Sequence, residues 1–138
     1  MQLDFINYFI TIRNILITQA KDTVEKLGLT PTQVFILMTI SENPNISSSG
    51  IQKAINLDKA IVSRALSSLH KKKLITKKNS PLDKRLYSIS LTVKGKNISS
   101  LIQKHKNNAN SKIVKSLTKK EIIELEKTLQ NLVRKLNN

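Results

Sequence analysis

The N-terminal segment carries apolar side chains at alternating steps of four and three, and this spacing predicts a helix over residues 3–26. The stripe consists of Phe5, Phe9, Ile12 and Leu16. Isoleucines on either side of the stripe widen the apolar surface, so the helix is expected to be buried on more than one side. Gly28 follows the helix, and a glycine in that place is typical of a helix C-terminus.

A second helix is predicted to begin at Thr30 and Pro31, which suit the N-cap and the first helical position. The Asn-Pro-Asn segment at residues 43–45 ends it, because these residues favour turns. The side chains expected to face inward are Val34, Leu37 and Met38, with Phe35 as a further candidate.

A short helix, a tight turn and a longer helix are predicted next. Ser47 suits the N-cap of the short helix, Asn56 tolerates the left-handed conformation of the turn, and Asp58 suits the second N-cap. The inward side chains of the short helix are expected to be Ile51, Ala54 and Ile55, and those of the longer helix Ile61, Val62, Ala65, Leu66 and Leu69. The other face of the longer helix is small, polar and basic, and the succession is typical of a helix-turn-helix.

Two strands are predicted at residues 74–78 and 85–91, with a turn at 79–84 between them. A β-hairpin directly after a helix-turn-helix is a wing. Thr92 caps a long fifth helix, in which the weakly apolar stretch 104–110 is expected to be exposed or bent. Residues 118–121, Thr-Lys-Lys-Glu, form a capping box that opens a last helix. Its apolar residues recur at steps of three and four and predict a coiled-coil-like seam: Ile122, Leu125, Leu129, Leu132 and Leu136.

The charge of the chain points to a polyanionic partner. The 138 residues carry 24 Lys+Arg against 9 Asp+Glu, a formal net charge of +15. An AT-rich genome would also raise the lysine content. The surplus is concentrated between Asp58 and Gly95, however, where only Asp58 and Asp83 oppose ten basic residues. Codon bias alone would not arrange this, so nucleic acid is the expected partner.

The residue types that are absent exclude several function classes. Without cysteine, the chain has no disulfide scaffold, thiolate zinc site, cysteine nucleophile or thiol sensor. His70 and His105 lie far apart, and no acid–base pair, nucleophile constellation or glycine-rich phosphate loop is visible. We therefore expect a protein that is not an enzyme and holds no metal or cofactor. The absence of a long apolar run and of a secretory signal predicts a cytoplasmic protein with no membrane partner.

Four sequence pieces occur in a specific order and at specific distances between residues 29 and 95. They are Leu29-Thr30-x-x-Gln33, Leu57-Asp58-Lys59-x-x-Val62-Ser63-Arg64, Asp83-Lys84-Arg85 and Leu91-Thr92-x-Lys94-Gly95. In these pieces the chain resembles the MarR family of winged-helix transcriptional regulators. Lys73 and Asn56 depart from the pattern, because they stand where the family commonly has glycine.

The resemblance implies a mainly α fold with a small β-wing, assembled as an obligate homodimer. Residues 1–28 and 93–138 would supply the dimerisation helices and residues 29–92 the winged helix-turn-helix domain. In the family, the first, fifth and last helices of two chains interlock and hold two DNA-binding lobes over successive major grooves. The dimerisation residues would be those of the N-terminal stripe and of the C-terminal seam, since such broad apolar faces normally mark an interface.

The outer face of the fourth helix is the expected DNA-reading surface. Arg64 is the best candidate for contacting a base, because a guanidinium can bind O6 and N7 of guanine together. The resemblance implies that Arg85, held by Asp83, reaches into the minor groove; the alternative is a surface ion pair worth about 0–1 kcal/mol. Ser47, Ser48 and Ser49 would bond a phosphate or only cap the short helix. The remaining candidates for DNA contact are Lys59, Ala60, Ser63, Ser67, Lys71, Lys78 and Lys84, with Lys72, Lys73 and Lys77 as further cations.

The leading hypothesis is a dimeric, sequence-specific transcriptional regulator, a repressor that recognises a palindromic operator. The resemblance also implies relief by a small aromatic or anionic ligand, although no residue pattern selects its pocket. Two alternatives stay open. One is an architectural protein that binds DNA without sequence preference, and the other is a protein-interaction module whose charge reflects genome composition.

Overall fold

The computed structural model describes residues 4–79 and 87–138, without the side chains of Ile17 and Gln19. The described chain divides into two compact units, residues 4–16 with 106–138 and residues 17–105. The elements in chain order are α1 (Phe5–Lys26), α2 (Pro31–Glu42), β1 (Ile46–Ser47), α3 (Ser48–Ile55), α4 (Lys59–Lys71), β2 (Ile75–Asn79), β3 (Tyr87–Leu91), α5 (Val93–Ser116) and α6 (Lys119–Leu136). The predicted mainly α fold with a small β-sheet is confirmed; the functional boundaries after residues 28 and 92 stay predictions.

The helix ends lie where the capping residues predict them. Thr30 accepts a hydrogen bond from the backbone N–H of Gln33 and is the N-cap of α2. Ser47 caps α3 in the same way, through the N–H of Gly50. Asn56 ends α3 with a φ of 49°, the left-handed conformation expected of it. Asp58 occupies the N-cap of α4, but its side chain makes no capping hydrogen bond there.

The core of residues 17–105 is formed by α2, α3, α4 and the sheet. Ile36 and Ile40 of α2 are fully buried, whereas Phe35 is 66% exposed. The prediction that Phe35 faces inward is therefore wrong, because α2 is apolar almost all round and its periodicity does not select one face. Ala54 is also exposed, against prediction. The predicted buried face of α4 is confirmed by its buried members, Val62, Ala65, Leu66 and Leu69.

The sheet of the described chain has the antiparallel order β1–β3–β2. The strand β1 was not predicted from the sequence: Ile46 pairs with Ile89, and Ser47 pairs with Ser88. Because the N-cap of α3 needs an extended backbone, Ser47 serves both as the cap and as the end of β1. The sheet thus joins the wing strands directly to the start of α3.

Gly95, in the first turn of α5, lies against the entry to β2. A Cβ added to Gly95 would stand 2.0 Å from the carbonyl oxygen of Leu74. That oxygen accepts the backbone N–H of Thr92 at 3.0 Å, and the Thr92 hydroxyl accepts the N–H of Gly95 at 3.0 Å. Lys73, just before Leu74, has a φ of 59°. Lys73, for which the resemblance to the MarR family implied a glycine, is therefore in the left-handed conformation, at a cost of about 1 kcal/mol.

The helix α6 begins with the predicted capping box. The backbone N–H of Thr118 donates to Oε2 of Glu121 at 2.7 Å, and the Thr118 hydroxyl donates to the same oxygen at 2.8 Å. These two bonds, the backbone one first, hold the pKa of the Glu121 carboxyl below its ordinary value. The seam that follows is solvent-accessible in the single chain, where Leu129 is 37% and Leu136 is 76% exposed.

Residues 104–110 were expected to be either exposed or bent. The helix α5 continues through them and most of them are exposed, in agreement with the first of these expectations. Among the helices that the structure describes, none has both the length and the apolar character needed to cross a membrane.

Candidate nucleic-acid interface

One face of α4 is buried in the core and the opposite face is open to solvent. The residues predicted to read DNA all lie on this open face and are exposed: Lys59, Ala60, Ser63, Arg64, Ser67 and Lys71. Steps of three and four place such side chains in one row along a helix. An open depression of about 370 Å³ runs along this row and is lined by Ser63, Arg64, Ser67, Ser68 and Lys71.

The open face of α4 is basic and carries no acidic residue, because residues 59–71 include no Asp or Glu. Ion pairs are found elsewhere on the described chain, for example on α1 between Lys21 and Glu25 and on α6 between Lys120 and Glu124. The Arg64 guanidinium therefore has no carboxylate partner within residues 4–79 and 87–138. Its five donors are available to an incoming acceptor.

The three serines at the start of α3 differ in their surroundings. The hydroxyl of Ser47 accepts the N–H of Gly50 at 3.0 Å and lies 3.1 Å from the hydroxyl of Ser49. Ser47 is half-buried, and its hydroxyl oxygen accepts the capping hydrogen bond. Capping is the role that the sequence analysis gave as the alternative to phosphate binding. Ser48 is half-buried as well, whereas Ser49 is exposed.

The β-wing presents further cations on β2. Lys77 and Lys78 are exposed, and their strand pairs with β3 through Ile89 and Ser88. The other wing residues predicted to contact DNA lie outside the described residues; they are Asp83, Lys84 and Arg85.

Comparison with known proteins relates part of this arrangement to a family. Residues 29–87, which span α2 to the start of β3, match the MarR family. This match covers 59 of the 138 residues, and over that stretch the chain is similar to the MarR family. Its members are transcriptional regulators and not enzymes, which confirms the corresponding sequence predictions.

Similar proteins carry the same assignment over different lengths. The chain is 32% identical over 68 residues to a protein assigned to transcriptional regulation of the hcr operon in Thauera aromatica, and this match spans 49% of the chain but only 41% of that relative. It is 27% identical over 134 residues to the HTH-type transcriptional regulator SarZ of Staphylococcus epidermidis, covering 97% of the chain and 88% of SarZ.

A solved structure extends the likeness to almost the whole fold. A MarR family transcriptional regulator from Listeria monocytogenes, crystallised with a 26mer DNA, is 25% identical and superposes with a TM-score of 0.84 over 98% of this chain and 90% of its own. The superposed part of the chain therefore also includes the helices outside the matched region, α1, α5 and α6.

Sequence reasoning missed the role of Gln33 in this chain. Gln33 is buried, with 6% of its surface exposed. Its Oε1 accepts the backbone N–H of Thr30 at 3.0 Å, and its Nε2 donates to Oγ of Ser68 on α4 at 2.9 Å. The Thr30-x-x-Gln33 spacing of a capping box was the available signal for the local bond. The link to Ser68, 35 residues away, left no local signal.

Lys72 was predicted to be one of several solvated cations near DNA, and the structure contradicts this. Its Nζ donates to the backbone carbonyl of Gly28 at the end of α1 and to Oε1 of Gln33 at 3.4 Å. Lys72 is half-buried and binds the chain itself. A carbonyl at a helix C-terminus carries partial negative charge, which explains why it attracts this ammonium group.

No group of three or more His, Asp or Glu residues within the described ranges could hold a metal ion.

Proposed function

We propose that this chain is a cytoplasmic, homodimeric repressor that binds a palindromic DNA operator through α4. The observation that carries the proposal is the exposed, acid-free row of small and basic side chains on α4. A helix of about 10–12 Å diameter fits the major groove, which is about 12 Å wide. Short side chains such as Ala60 and Ser63 let the helix approach the bases closely.

Arg64 is the proposed base reader, because its guanidinium is exposed and no carboxylate holds it in the described part of the chain. It would donate two parallel hydrogen bonds to a guanine, a contact worth about 1–3 kcal/mol of discrimination. Lys59 and Lys71, at the two ends of α4, would bind phosphates on either side of the groove. Their contribution is electrostatic and independent of sequence.

The wing is the proposed second contact. Lys77 and Lys78 are exposed on β2 and would bind backbone phosphates. Arg85, positioned by Asp83, would enter the minor groove; this assignment is supported by the Asp-x-Arg spacing and by the similarity to the MarR family. Narrow AT-rich minor grooves concentrate negative potential and attract arginine.

Homodimer formation is supported by the apolar residues that the single chain leaves accessible on α1 and α6. Phe5 is 54% and Ile12 48% exposed on α1, and Leu125 is 42% exposed on α6. Covering these residues by a second copy would remove several apolar side chains from water at about 25 cal/mol per Å². Relief of repression by a small aromatic or anionic ligand is also proposed, on the strength of the similarity to the MarR family.

An architectural role without sequence preference is the second candidate, and the net charge of +15 favours it. Both candidates are tested by selecting bound duplexes from a random pool with the full chain at about 150 mM salt. A recovered inverted repeat with half-sites about one helical turn apart supports the regulator. Enrichment of general AT content alone would favour the architectural role.

The variant Arg64→Ala separates base reading from charge, with Lys71→Ala as a control that removes one positive charge from the same helix. We expect Arg64→Ala to weaken the selected duplex about tenfold or more relative to random DNA. Lys71→Ala should weaken both duplexes alike and reduce the salt slope by about one. Equal losses on selected and random DNA for Arg64→Ala would remove the base-reading assignment.

A further inference from the structure

A connected set of hydrogen bonds joins one side of α4, near its C-terminal end, to the start of α2. We call it the Gln33 cluster; its members are Gly28, Thr30, Gln33, Ser68 and Lys72. All of its contacts lie within the compact unit 17–105. Gln33 is at the centre, because its amide accepts from Thr30 and Lys72 and donates to Ser68. The side chain is thus held at both ends of its amide group.

The Gln33 cluster fixes α4 near its C-terminal end. Ser68 lies in the last turn of α4 and Lys72 is its C-cap residue. Lys72 also donates to the carbonyl of Gly28, which has a φ of 63° in the turn that ends α1. The last turn of α4 and its C-cap are therefore held by two segments: the turn after α1, through Gly28, and the first turn of α2, through Gln33.

The N-terminal end of α4 is not held in the same way by a side-chain hydrogen bond from its cap. The N-cap Asp58 makes no side-chain capping hydrogen bond. Apolar contacts of Val62, Leu66 and Leu69 hold the helix against the core, but such contacts are not directional and permit small rotations. Hydrogen bonds to a buried amide are directional, so the cluster is suited to fixing the rotation of α4 about its own axis.

We propose that Gln33 is a positioning residue for sequence recognition: from the side of α4, it sets the angle at which Arg64 and Ser63 face the groove. The proposal rests on the DNA-reading role of α4 proposed above. Base contacts require donors and acceptors to align within hydrogen-bond distance and angle, whereas phosphate attraction tolerates a small rotation of the helix. Losing the cluster should therefore reduce discrimination between sequences and leave the binding of random DNA almost unchanged.

The experiment compares Gln33→Met with Gln33→Glu in the full chain. Methionine keeps the length of the side chain but removes its hydrogen bonds. Glutamate keeps an acceptor for the N–H of Thr30 and the ammonium group of Lys72, and replaces the Nε2 donor by a second oxygen, to which the Ser68 hydroxyl can donate. The binding of the selected duplex and of a random duplex is measured well below the melting temperature of each variant. Ile102→Val, on α5, is the control for a general loss of core packing.

We expect Gln33→Met to bind the selected duplex about tenfold more weakly, with random duplex binding within about twofold of the wild type. Gln33→Glu should recover most of the discrimination, and Ile102→Val should retain it. A folded Gln33→Met variant that discriminates as well as the wild type would overturn the positioning role and leave the proposed function intact. A wild-type protein without any preferred sequence would overturn both.

Amide hydrogen exchange provides a measurement without DNA. In the free protein, Ser68→Ala removes the hydroxyl that accepts from Gln33, leaves Lys72 in place, and should accelerate exchange at residues 66–72 several-fold. Exchange on α6 serves as the internal reference and should not change. Unchanged exchange at residues 66–72 would contradict the proposal even if Gln33→Met failed to fold.

Discussion

Substitution of Gly95 by alanine tests the close packing between α5 and the entry to β2, because two physical arguments predict opposite signs. In an ordinary helix, glycine to alanine is stabilising by about 1 kcal/mol. At residue 95 the new Cβ would lie 2.0 Å from the carbonyl oxygen of Leu74, where about 3.5 Å is normal for non-bonded heavy atoms. The chain must therefore move by more than 1 Å at this point.

The Leu74 carbonyl cannot move away without loss. Its oxygen accepts the N–H of Thr92 at 3.0 Å, and the N–H of Leu74 donates to Leu69 at 3.0 Å. Relieving the overlap costs about 1–3 kcal/mol, as for other overpacked sites, and losing the Thr92 hydrogen bond costs about 1 kcal/mol more. After the gain in helix propensity is deducted, Gly95→Ala should lower the free energy of unfolding by about 1–3 kcal/mol.

The measurement is urea unfolding followed by circular dichroism, with all proteins at one concentration because an associating chain gains stability with concentration. Asn97→Ala is the matched control: it lies two residues further along α5, is exposed, and should raise stability by about 0.5 kcal/mol. A Gly95→Ala protein more stable than the wild type would refute the packing argument, because helix propensity would then have outweighed the clash.

Two further predictions concern α6. Leu129→Glu places a charge in the proposed seam and should convert the proposed dimer to monomers at micromolar concentration in light scattering. Gln130→Glu, beside the seam, is the control and should leave the dimer intact. If the Leu129→Glu protein were still dimeric, the interface would lie elsewhere. Thr118→Ala removes the hydroxyl bond to Glu121 and should raise the pKa of that carboxyl towards its ordinary value in an NMR titration. Because folding lowers this pKa, the Glu121 carboxylate stabilises the folded protein at neutral pH, and this stabilisation is lost as the pH falls through the folded-state pKa. If Thr118→Ala and the wild type lost stability in the same way at acidic pH, the assignment would be contradicted.

The sequence predicted the features whose causes are local. A capping residue acts on backbone groups two or three positions away, so Thr30, Ser47 and Thr118 correctly marked helix starts. The exposed basic face of α4 was predictable for the same reason, since a helical repeat separates it from a clearly apolar face. The left-handed turn at Asn56 follows from the tolerance of asparagine for positive φ.

The features that sequence reasoning missed depend on residues distant in the chain. Strand β1 exists because Ile46 meets Ile89, and two residues are too few to show a strand pattern. Lys72 stands among similar lysines, and only the fold brings its ammonium group to the carbonyl of Gly28. Phe35 lies in a helix that is apolar almost all round, so its exposure was decided by packing and not by periodicity.

The position of β2 at the edge of the sheet has a consequence for the solubility of the protein. A strand at a sheet edge offers unpaired backbone groups to strands of other molecules, and exposed lysines discourage such pairing by mutual repulsion. Lys77 and Lys78 occupy this edge and are exposed. The same side chains that we propose for phosphate binding would therefore keep free copies of the protein from aggregating. Replacing both lysines by alanine would then lower the amount of active protein as well as its affinity for DNA. A binding assay that assumes a fixed active fraction would assign the whole loss of binding to lost DNA contacts.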